Sequence, residues 1–179
     1  AYHQCSKRQW PWQSRLWLPE ISSIIPGSEI PRWFDKQHEG MGNVINIEDA
    51  SHFMKHDKNW IGIACSVTFV VHKDRTRKTK ERRYHYIPLL FREDLVKDES
   101  DHMWLFYYSQ QKFSELTRDG ELKLGCLSSD LDQYFHVEVK KYGYRWVYKH
   151  DLELSNLTTM HRKESLPQKR KILAIEENT

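Results

Sequence analysis

The sequence predicts an all-β fold, an antiparallel sandwich or barrel, from three observations. About seven short runs of alternating or β-branched residues follow one another along the 179 residues. No long amphipathic helical pattern separates these runs, which argues against an α/β arrangement. Aromatic residues reach 13% while glycine and proline are modest in number, a balance that favours strands in a globular chain.

The clearest strand covers Ile61 to Val71, where large apolar residues alternate with small ones. This period of two places the large side chains on one face of the strand and the small ones on the other. The small face predicts that another segment packs closely against it. Tyr84 to Phe91 then predicts a return strand, paired with the first as a hairpin around the charged segment 73–83. Pro88 favours a sheet edge or a bulge for that return strand.

Shorter runs predict the remaining strands and two helical turns. The strands are Val44–Ile47, Met103–Tyr108, Leu122–Leu127, Tyr134–Val139 and Tyr144–Tyr148, and the helical turns are Ser51–His56 and Gln110–Leu116. We expect the last two strands to form a compact hairpin around a turn at Tyr142 and Gly143. The sandwich is expected to cover residues 24–154, between a Trp-rich lead-in at 1–23 and a basic tail at 155–179 that we expect to be mobile.

Cysteine and charge patterns narrow the class of protein. Cys5, Cys65 and Cys126 are widely spaced and form no CxxC pair, so no zinc ribbon, redox motif or disulfide framework is predicted. We interpret Cys65 as a reduced core thiol of an intracellular protein. No run approaches the roughly 20 apolar residues of a membrane helix, and we expect no membrane association. The net charge of +3 combines +5 over 73–83 and +4 over 162–171 with −6 elsewhere.

The sequence carries no HExxH, GxSxG or glycine-rich phosphate motif, so we predict no enzyme activity and no cofactor. His52 and His56 would share a helical face beside Asp57, but two imidazoles without a fixed third ligand do not predict a metal site. A carboxylate pair at Asp130 and Asp132, or a tryptophan platform for sugars, is a weaker alternative. Most tryptophans fall in strand-like runs, where aromatic residues usually belong to the core. These are Trp33, Trp60, Trp104 and Trp146.

The segment Ile24 to Gly40, IIPGSEIPRWFDKQHEG, carries the most informative motif. Because proline fixes φ and glycine tolerates positive φ, Pro26 with Gly27 favours a type II turn. The second proline drives the residue before it to an extended conformation. Two large aromatic residues follow as anchors that bury much of their surface. We expect a rigid entry strand clamped to the sandwich.

This motif, PGSEIPxWFxxQxxG, resembles the opening signature of the C-terminal jelly-roll/Ig-like domain that follows the leucine-rich repeats of plant immune receptors. These are nucleotide-binding receptors of the Toll/interleukin-receptor class. NWIGIACSV, at Asn59–Val67, is similar to that domain's W-x-GxAxCxV strand, and VKKYGYRWVYKHD, at Val139–Asp151, to its closing VKxxGxRxVYxxD hairpin. Three motifs in register over Ile24–Leu154 make the resemblance specific. The matching residues are Pro26, Gly27, Ser28, Glu29, Ile30, Pro31, Trp33, Phe34, Gly40, Trp60, Gly62, Cys65, Gly143, Arg145, Tyr148 and Asp151.

The resemblance implies a jelly-roll or Ig-like sandwich that recognises another protein and catalyses nothing. It implies direct binding of a pathogen effector, intramolecular contacts with the leucine-rich repeats, and release of autoinhibition in the defence response. Tetramerisation and NAD consumption would belong to other domains of the receptor, which would act in the cytoplasm or nucleus. A purely structural cap on the repeats is the alternative. The 73–83 insertion and the Trp-rich start depart from the family's pattern.

The basic segment 73–83 is the main candidate for partner binding, because loops on a rigid sandwich often carry recognition. Its expected partner is an acidic effector surface, and the loops 98–102 and 118–120 compete with it. A solvated loop and a polyanion-binding loop are the alternatives, but the acidic remainder of the surface argues against nucleic acid as the partner. The tail 162–171 is either a nuclear-import sequence or a solvated charged tail. The candidate side chains of the loop are Arg75, Arg77, Lys78, Lys80 and Arg82.

Overall fold

The computed structural model describes residues 18–34, 36–74, 86–90, 92–97, 101–127 and 134–153. Strands dominate these ranges, which confirms the predicted fold class. The strands are β1 Ile21–Pro26, β2 Gln37–Glu39, β3 Val44–Asn46, β4 Trp60–Asp74, β5 Tyr86–Leu90, β6 His102–Ser109, β7 Glu121–Leu127 and β8 Tyr134–Tyr148. The helices are α1 Ala50–His56, α2 Asp94–Lys97 and α3 Gln110–Leu116, so both predicted helical turns are confirmed. Residues 149–153 add a helical turn.

The strands form two sheets. The larger sheet has the order β1-β6-β4-β8-β2 and is antiparallel throughout. The smaller sheet has the order β3-β7-β5, in which β3 and β7 are antiparallel while β5 and β7 run parallel. The fold is therefore a mostly antiparallel sandwich with one parallel strand pair.

The core lies between the two sheets. The large side chains of β4 point into it, as the alternating pattern predicts, and each is at most 3% exposed; they are Ile63, Cys65, Val67, Phe69 and Val71. The smaller sheet meets them with Ile45, Ile87, Leu89, Leu122 and Leu124. Because Cys65 is 1% exposed in this core, its predicted role as a buried thiol is confirmed.

The hairpin predicted from the 61–71 and 84–91 runs is wrong. β4 lies in the middle of the larger sheet, where β6 and β8 occupy both of its edges. The return strand, β5, therefore joins the other sheet and pairs in parallel with β7. Its position at the edge of that sheet fits Pro88, because the proline has no N–H to donate to a further strand.

The hairpin predicted at 134–148 is also wrong, because β8 runs unbroken from Tyr134 to Tyr148 alongside β4. The apolar residues switch from odd to even positions near Lys140, and this switch looks like a turn in the sequence. The register shifts at that point: Val139 lies opposite Phe69, whereas Lys141 lies opposite Thr68. A bulge with one extra residue exchanges the two faces of a strand without reversing its direction.

The type II turn predicted at Pro26 and Gly27 is absent from its expected place. Pro26 is the last residue of β1, paired with His102, and Gly27 has a φ of 146°, far from the value of about 80° that such a turn requires. A hydrogen-bonded turn comes at the second proline instead, where the Phe34 N–H donates to the Pro31 carbonyl oxygen at 3.0 Å. The expected entry strand is present as β1.

None of the helices in the described part of the chain is long and apolar enough to cross a membrane.

Candidate functional site

A ten-residue linker, residues 27–36 and here called the strap, carries most of the first motif. It joins β1 to β2, which lie at opposite edges of the five-stranded sheet. The strap therefore crosses four strand spacings, about 19 Å. An extended segment of ten residues reaches about 33 Å, so the linker is long enough to cross the sheet directly. It passes over the outer face of the sheet, which is the face turned away from the core.

Two apolar residues fix the strap to this outer face. Ile30 is 6% exposed and Phe34 is 4% exposed. Both lie against Gly143 of β8, where an added Cβ would come within 2.9 Å of Phe34 Cβ and 3.3 Å of Ile30 Cγ2. Gly143 pairs with Ser66, a small residue of β4 that is fully buried. The small face of β4 and β8 therefore leaves space for the strap, as the alternation in β4 predicts.

Arg145 ties the strap to the end of the domain. Its Nη1 donates to the Trp33 carbonyl oxygen at 3.4 Å, and its guanidinium carbon lies 4.4 Å from the centroid of the Trp33 ring. Its Nη2 reaches Asp151 Oδ1 at 3.3 Å, while Asp151 Oδ2 accepts the Tyr148 N–H at 2.8 Å. Four residues from two distant motifs therefore form one connected cluster, here called the arginine clamp: Trp33, Arg145, Tyr148 and Asp151.

Trp33 and Phe34 differ in burial although both are predicted as anchors. Phe34 is buried, whereas Trp33 is 41% exposed and packs edge-on against Phe34 with ring centroids 5.0 Å apart. A partly exposed tryptophan beside an arginine is a combination enriched in protein interfaces. The arginine clamp therefore both fastens the strap and presents an aromatic–cationic surface to solvent.

Tyr148 extends the arginine clamp to α1. Its hydroxyl donates to Asp57 Oδ2 at 2.9 Å, and Asp57 is the residue that ends α1. Burial, together with the Asp57 carboxylate, raises the pKa of Tyr148 to about 12. The tyrosine therefore stays protonated and remains a hydrogen-bond donor throughout the physiological pH range.

The other motif residues have packing roles. Trp60 is 1% exposed and contacts Trp146 at 5.0 Å between ring centroids. Gly62 leaves room for the Tyr107 ring, and Gly40 for the backbone of Val139. Burial raises the pKa of the Cys65 thiol, which keeps it uncharged. The start of the strap is exposed at Gly27, Ser28 and Glu29, and Pro31 is half-buried at its turn.

The basic partner-binding candidates fall in the segment 75–85, which lies outside the described residues. The segment follows Asp74, the last residue of β4, which pairs with Tyr134 at the start of β8. It precedes Tyr86, the first residue of β5, which pairs with Lys123 near the start of β7, on the side of the 118–120 turn. The segments 98–100 and 128–133 also lie outside the described residues. The strands that follow them, β6 and β8, begin at the end of the larger sheet where β4 ends. We call this end the loop end.

The competing loop at 118–120 lies at the opposite end, after α3. It is a tight turn in which Asp119 Oδ1 accepts hydrogen bonds from the Thr117 hydroxyl at 3.1 Å and the Glu121 N–H at 3.0 Å. Gly120 has a φ of 87°, and an added Cβ there would come within 2.4 Å of the Ile47 carbonyl oxygen. This loop is therefore fixed by its own hydrogen bonds and by contact with the core.

Two histidine groups lie close to other polar side chains. His52 and His56 do share one face of α1, with ring centroids 4.3 Å apart, as their spacing predicts. On the outer face of the larger sheet, His72 and Lys140 both contact Glu138, with Nε2–Oε2 and Nζ–Oε1 distances of 2.5 Å and 2.8 Å. Across the described ranges, no group of three or more His, Cys, Asp or Glu residues is placed to hold a metal ion.

The sequence interpretation missed the role of His38 in β2. Its ring stacks on Tyr142 and Tyr144 of β8, at 5.1 Å and 5.5 Å between centroids. The hydroxyls of these tyrosines reach the backbone of Asn46 and Glu48, in and after β3. This aromatic stack bridges the two sheets. A period-two pattern in β8 that continued past Lys140 would have revealed it, but the bulge obscures that pattern.

These features define a β-sandwich with a signature strap over its outer face, and the chain belongs to the C-JID domain family, which it matches over residues 25–153. This is the class of C-terminal domains of plant disease resistance receptors of the TIR-NBS-LRR type. The predicted resemblance is confirmed.

Among curated proteins, the chain is 30% identical over 158 residues to the Disease resistance protein RPS4B of Arabidopsis thaliana. The alignment covers 73% of this chain but 13% of the relative, so the chain corresponds to a small part of that protein. No solved structure shows significant similarity to the chain.

Proposed function

We propose that this chain is a non-catalytic recognition domain of an intracellular plant immune receptor. It contributes to direct binding of a pathogen effector, and that contact helps to release the receptor from autoinhibition in the cytoplasm or nucleus. Membership in the C-JID family supports the receptor context. The observation that carries the recognition role is that β4 ends at the loop end, where β6 and β8 begin, so the basic segment leaves the sandwich there, on a domain whose outer face is clamped.

The basic segment begins at the loop end, after β4, and carries a net charge of +5 over residues 73–83. Residues 73–83 hold seven basic side chains against two acidic ones, whereas the chain outside this segment and 162–171 is net acidic. An acidic effector surface would be attracted to this end and repelled by the rest of the domain. Arg75, Arg77, Lys78, Lys80 and Arg82 are the side chains that we assign to this contact.

A pull-down of a panel of pathogen effectors with the immobilised chain tests the proposal. The variant with Arg75, Arg77, Lys78 and Arg82 changed to Glu is expected to lose effector binding. A matched control reverses four exposed basic residues away from the loop end, Lys55, Lys58, Arg118 and Lys149, and is expected to keep binding. Unchanged binding by the loop variant, or equal loss in both, would remove the 75–82 segment from the contact.

Polyanion binding is the second candidate, because the same cluster would release counterions from a phosphate backbone. A titration of duplex DNA at low salt distinguishes the two. Nucleic-acid binding requires measurable affinity that falls steeply as the salt concentration rises. If the chain has no affinity for DNA at low salt, polyanion binding is excluded. The remaining functions are then effector binding and a purely structural cap on the repeats.

A further inference from the structure

We propose that the outer edge of β1 pairs with a β-strand from the polypeptide that precedes this domain in the receptor. The inference deepens the proposed function, since it rests on this chain being the C-terminal domain of a receptor that contains leucine-rich repeats. It assigns the intramolecular contact with the repeats to a particular surface.

The four sheet edges differ in how they are protected from pairing with other strands. Natural proteins protect such edges with short strands, charged residues or proline. β2 has three residues and includes Glu39, β3 has three residues, and β5 contains Pro88. Each of these three edges therefore carries at least one protective feature.

β1 has six residues, Ile21–Pro26, and its sequence ISSIIP contains no charged side chain. It pairs with β6 on one side, and no strand of the described ranges lies on its other side. Its proline is the last residue and pairs with His102, so the backbone before it is free of proline. An unprotected edge of this kind is a template for a further strand, because its backbone N–H and C=O groups need hydrogen-bond partners.

Exposed apolar side chains concentrate at the same edge. Leu18 is 45% exposed, Ile21 is 64% exposed and Ile25 is 41% exposed. These three are half of the large hydrophobic residues that are exposed in the described part of the chain. Ile21 and Ile25 lie opposite Tyr107 and Met103, so both isoleucines are on the outer face of the sheet. A strand added to β1 would cover them with its own side chains.

The position of β1 in the receptor indicates which strand it meets. β1 is the first strand of the described chain, and most of the matched relative lies outside the aligned region. Because the domain is C-terminal, that polypeptide precedes β1 and is covalently joined to it, which gives a high effective concentration. Leucine-rich repeats contribute one strand each to a sheet, and the terminal repeat leaves an edge that needs a cap. Pairing would give hydrogen-bond partners to the backbone groups of both open edges, that of β1 and that of the terminal repeat.

Amide hydrogen exchange, compared between the 179-residue chain and the full-length receptor, tests the inference. The outward-facing amides within Ile21–Ile25, which alternate with those bonded to β6, are expected to exchange at least about tenfold more slowly in the receptor, because pairing supplies their hydrogen-bond partners. The exposed β2 edge, Gln37–Glu39, is the internal reference and should show no such change. Equal β1 rates in both proteins would overturn the inference.

Two other occupants of the β1 edge would give different hydrogen-exchange results. Protection that is already complete in dilute 179-residue chain would place residues 1–17 or another part of this chain on the edge. Protection that rises with concentration, with a dimer in sedimentation, would place a second copy there. Either result overturns the inference. The effector pull-down is read separately, so failure of effector binding leaves the exchange result standing and the reverse also holds.

A charge introduced at the edge provides the matched variant. Ile21→Lys with Ile25→Lys in the receptor is expected to return β1 exchange to the rate of the isolated chain. Met41→Lys, at a residue that is 84% exposed between β2 and β3, is the control and should retain protection. Thermal unfolding of the isolated chain should be unchanged by the lysine pair, since both side chains are exposed. Retained β1 protection in the lysine variant would contradict the inference.

Discussion

At the scale of single residues, the signature motifs place small residues where chain segments cross. Gly143 accepts the strap, Gly62 accepts Tyr107 and Gly40 accepts the backbone of Val139. None of these three glycines has the positive φ that would make glycine necessary for conformational reasons. Space, and not backbone freedom, therefore explains why glycine occupies these positions.

Gly143→Ala is expected to destabilise the domain by about 1–2 kcal/mol. Alanine favours a strand over glycine by about 0.5–1 kcal/mol, but overpacking costs about 1–3 kcal/mol and outweighs it. The new Cβ would come within 2.9 Å of Phe34 Cβ, which cannot move without the strap. Chemical denaturation measures the change. Ser66→Ala, on the paired residue, removes a buried hydroxyl without a hydrogen-bond partner in the described residues and should not destabilise.

The Glu138 cluster predicts a pH effect with a definite sign. Hydrogen bonds from Lys140 and then His72 lower the pKa of Glu138 from 4.5 to about 2. A carboxyl whose pKa is lowered by folding stabilises the protein above its unfolded pKa, and this contribution is lost as pH falls towards 2. The melting temperatures of the wild type and Glu138→Gln should therefore differ most above pH about 5 and converge near pH 2. A constant difference across this range would contradict the assignment.

At the scale of elements, the strap turns a two-layer sandwich into one with a partial third layer. Its buried residues, Ile30 and Phe34, are absent from the main core cluster and pack on the opposite face of the larger sheet. The arginine clamp then holds the strap by its backbone at Trp33. The strap therefore has two attachments, one apolar and one polar.

Replacing each of the two aromatic residues of the strap by alanine should show how much each attachment contributes to stability. Phe34→Ala is expected to cost about 3–5 kcal/mol, because it removes a buried aromatic side chain. Trp33→Ala should cost clearly less, since this ring is 41% exposed and Arg145 contacts its backbone oxygen as well as its ring. Urea denaturation of both variants measures the order. An equal or greater loss for Trp33→Ala would show that the clamp depends on the ring.

At the scale of the whole molecule, the two sheets share one core. Cys65 lies in the larger sheet and Cys126 in the smaller one, and both are at most 2% exposed within the same apolar cluster. A domain with one shared core is expected to unfold as a unit. Local opening of one sheet alone would break that cluster.

Thiol labelling in the Cys5→Ser background tests this cooperativity. Neither Cys65 nor Cys126 should react with an alkylating agent in the native state, because both are buried and burial raises the pKa of the Cys65 thiol. Under mild denaturant, both should become labelled at one common rate. Mass spectrometry of the labelled peptides reads each site. Earlier labelling of Cys126 would show that the smaller sheet opens independently.

The sequence by itself determined the fold class, most of the strands, the core face of β4 and the family. Alternation in Ile61–Val71 fixed which side chains are buried, because period two is a local property of a strand. The three motifs were recognisable because they keep their order and spacing. The proline in the return strand predicted a sheet edge or a bulge for it, and short runs predicted the helical turns Ser51–His56 and Gln110–Leu116.

The tertiary structure alone decided the strand partners and the arrangement of the signature residues. Strand pairing depends on which edges remain free once the sheet is assembled, so β5 joined the second sheet although it follows β4. A single bulged residue kept β8 continuous where the local pattern resembled a turn. Arg145 and Trp33 are more than a hundred residues apart, and they meet because the strap crosses the sheet. Contacts of that kind depend on the whole topology, which no local pattern contains.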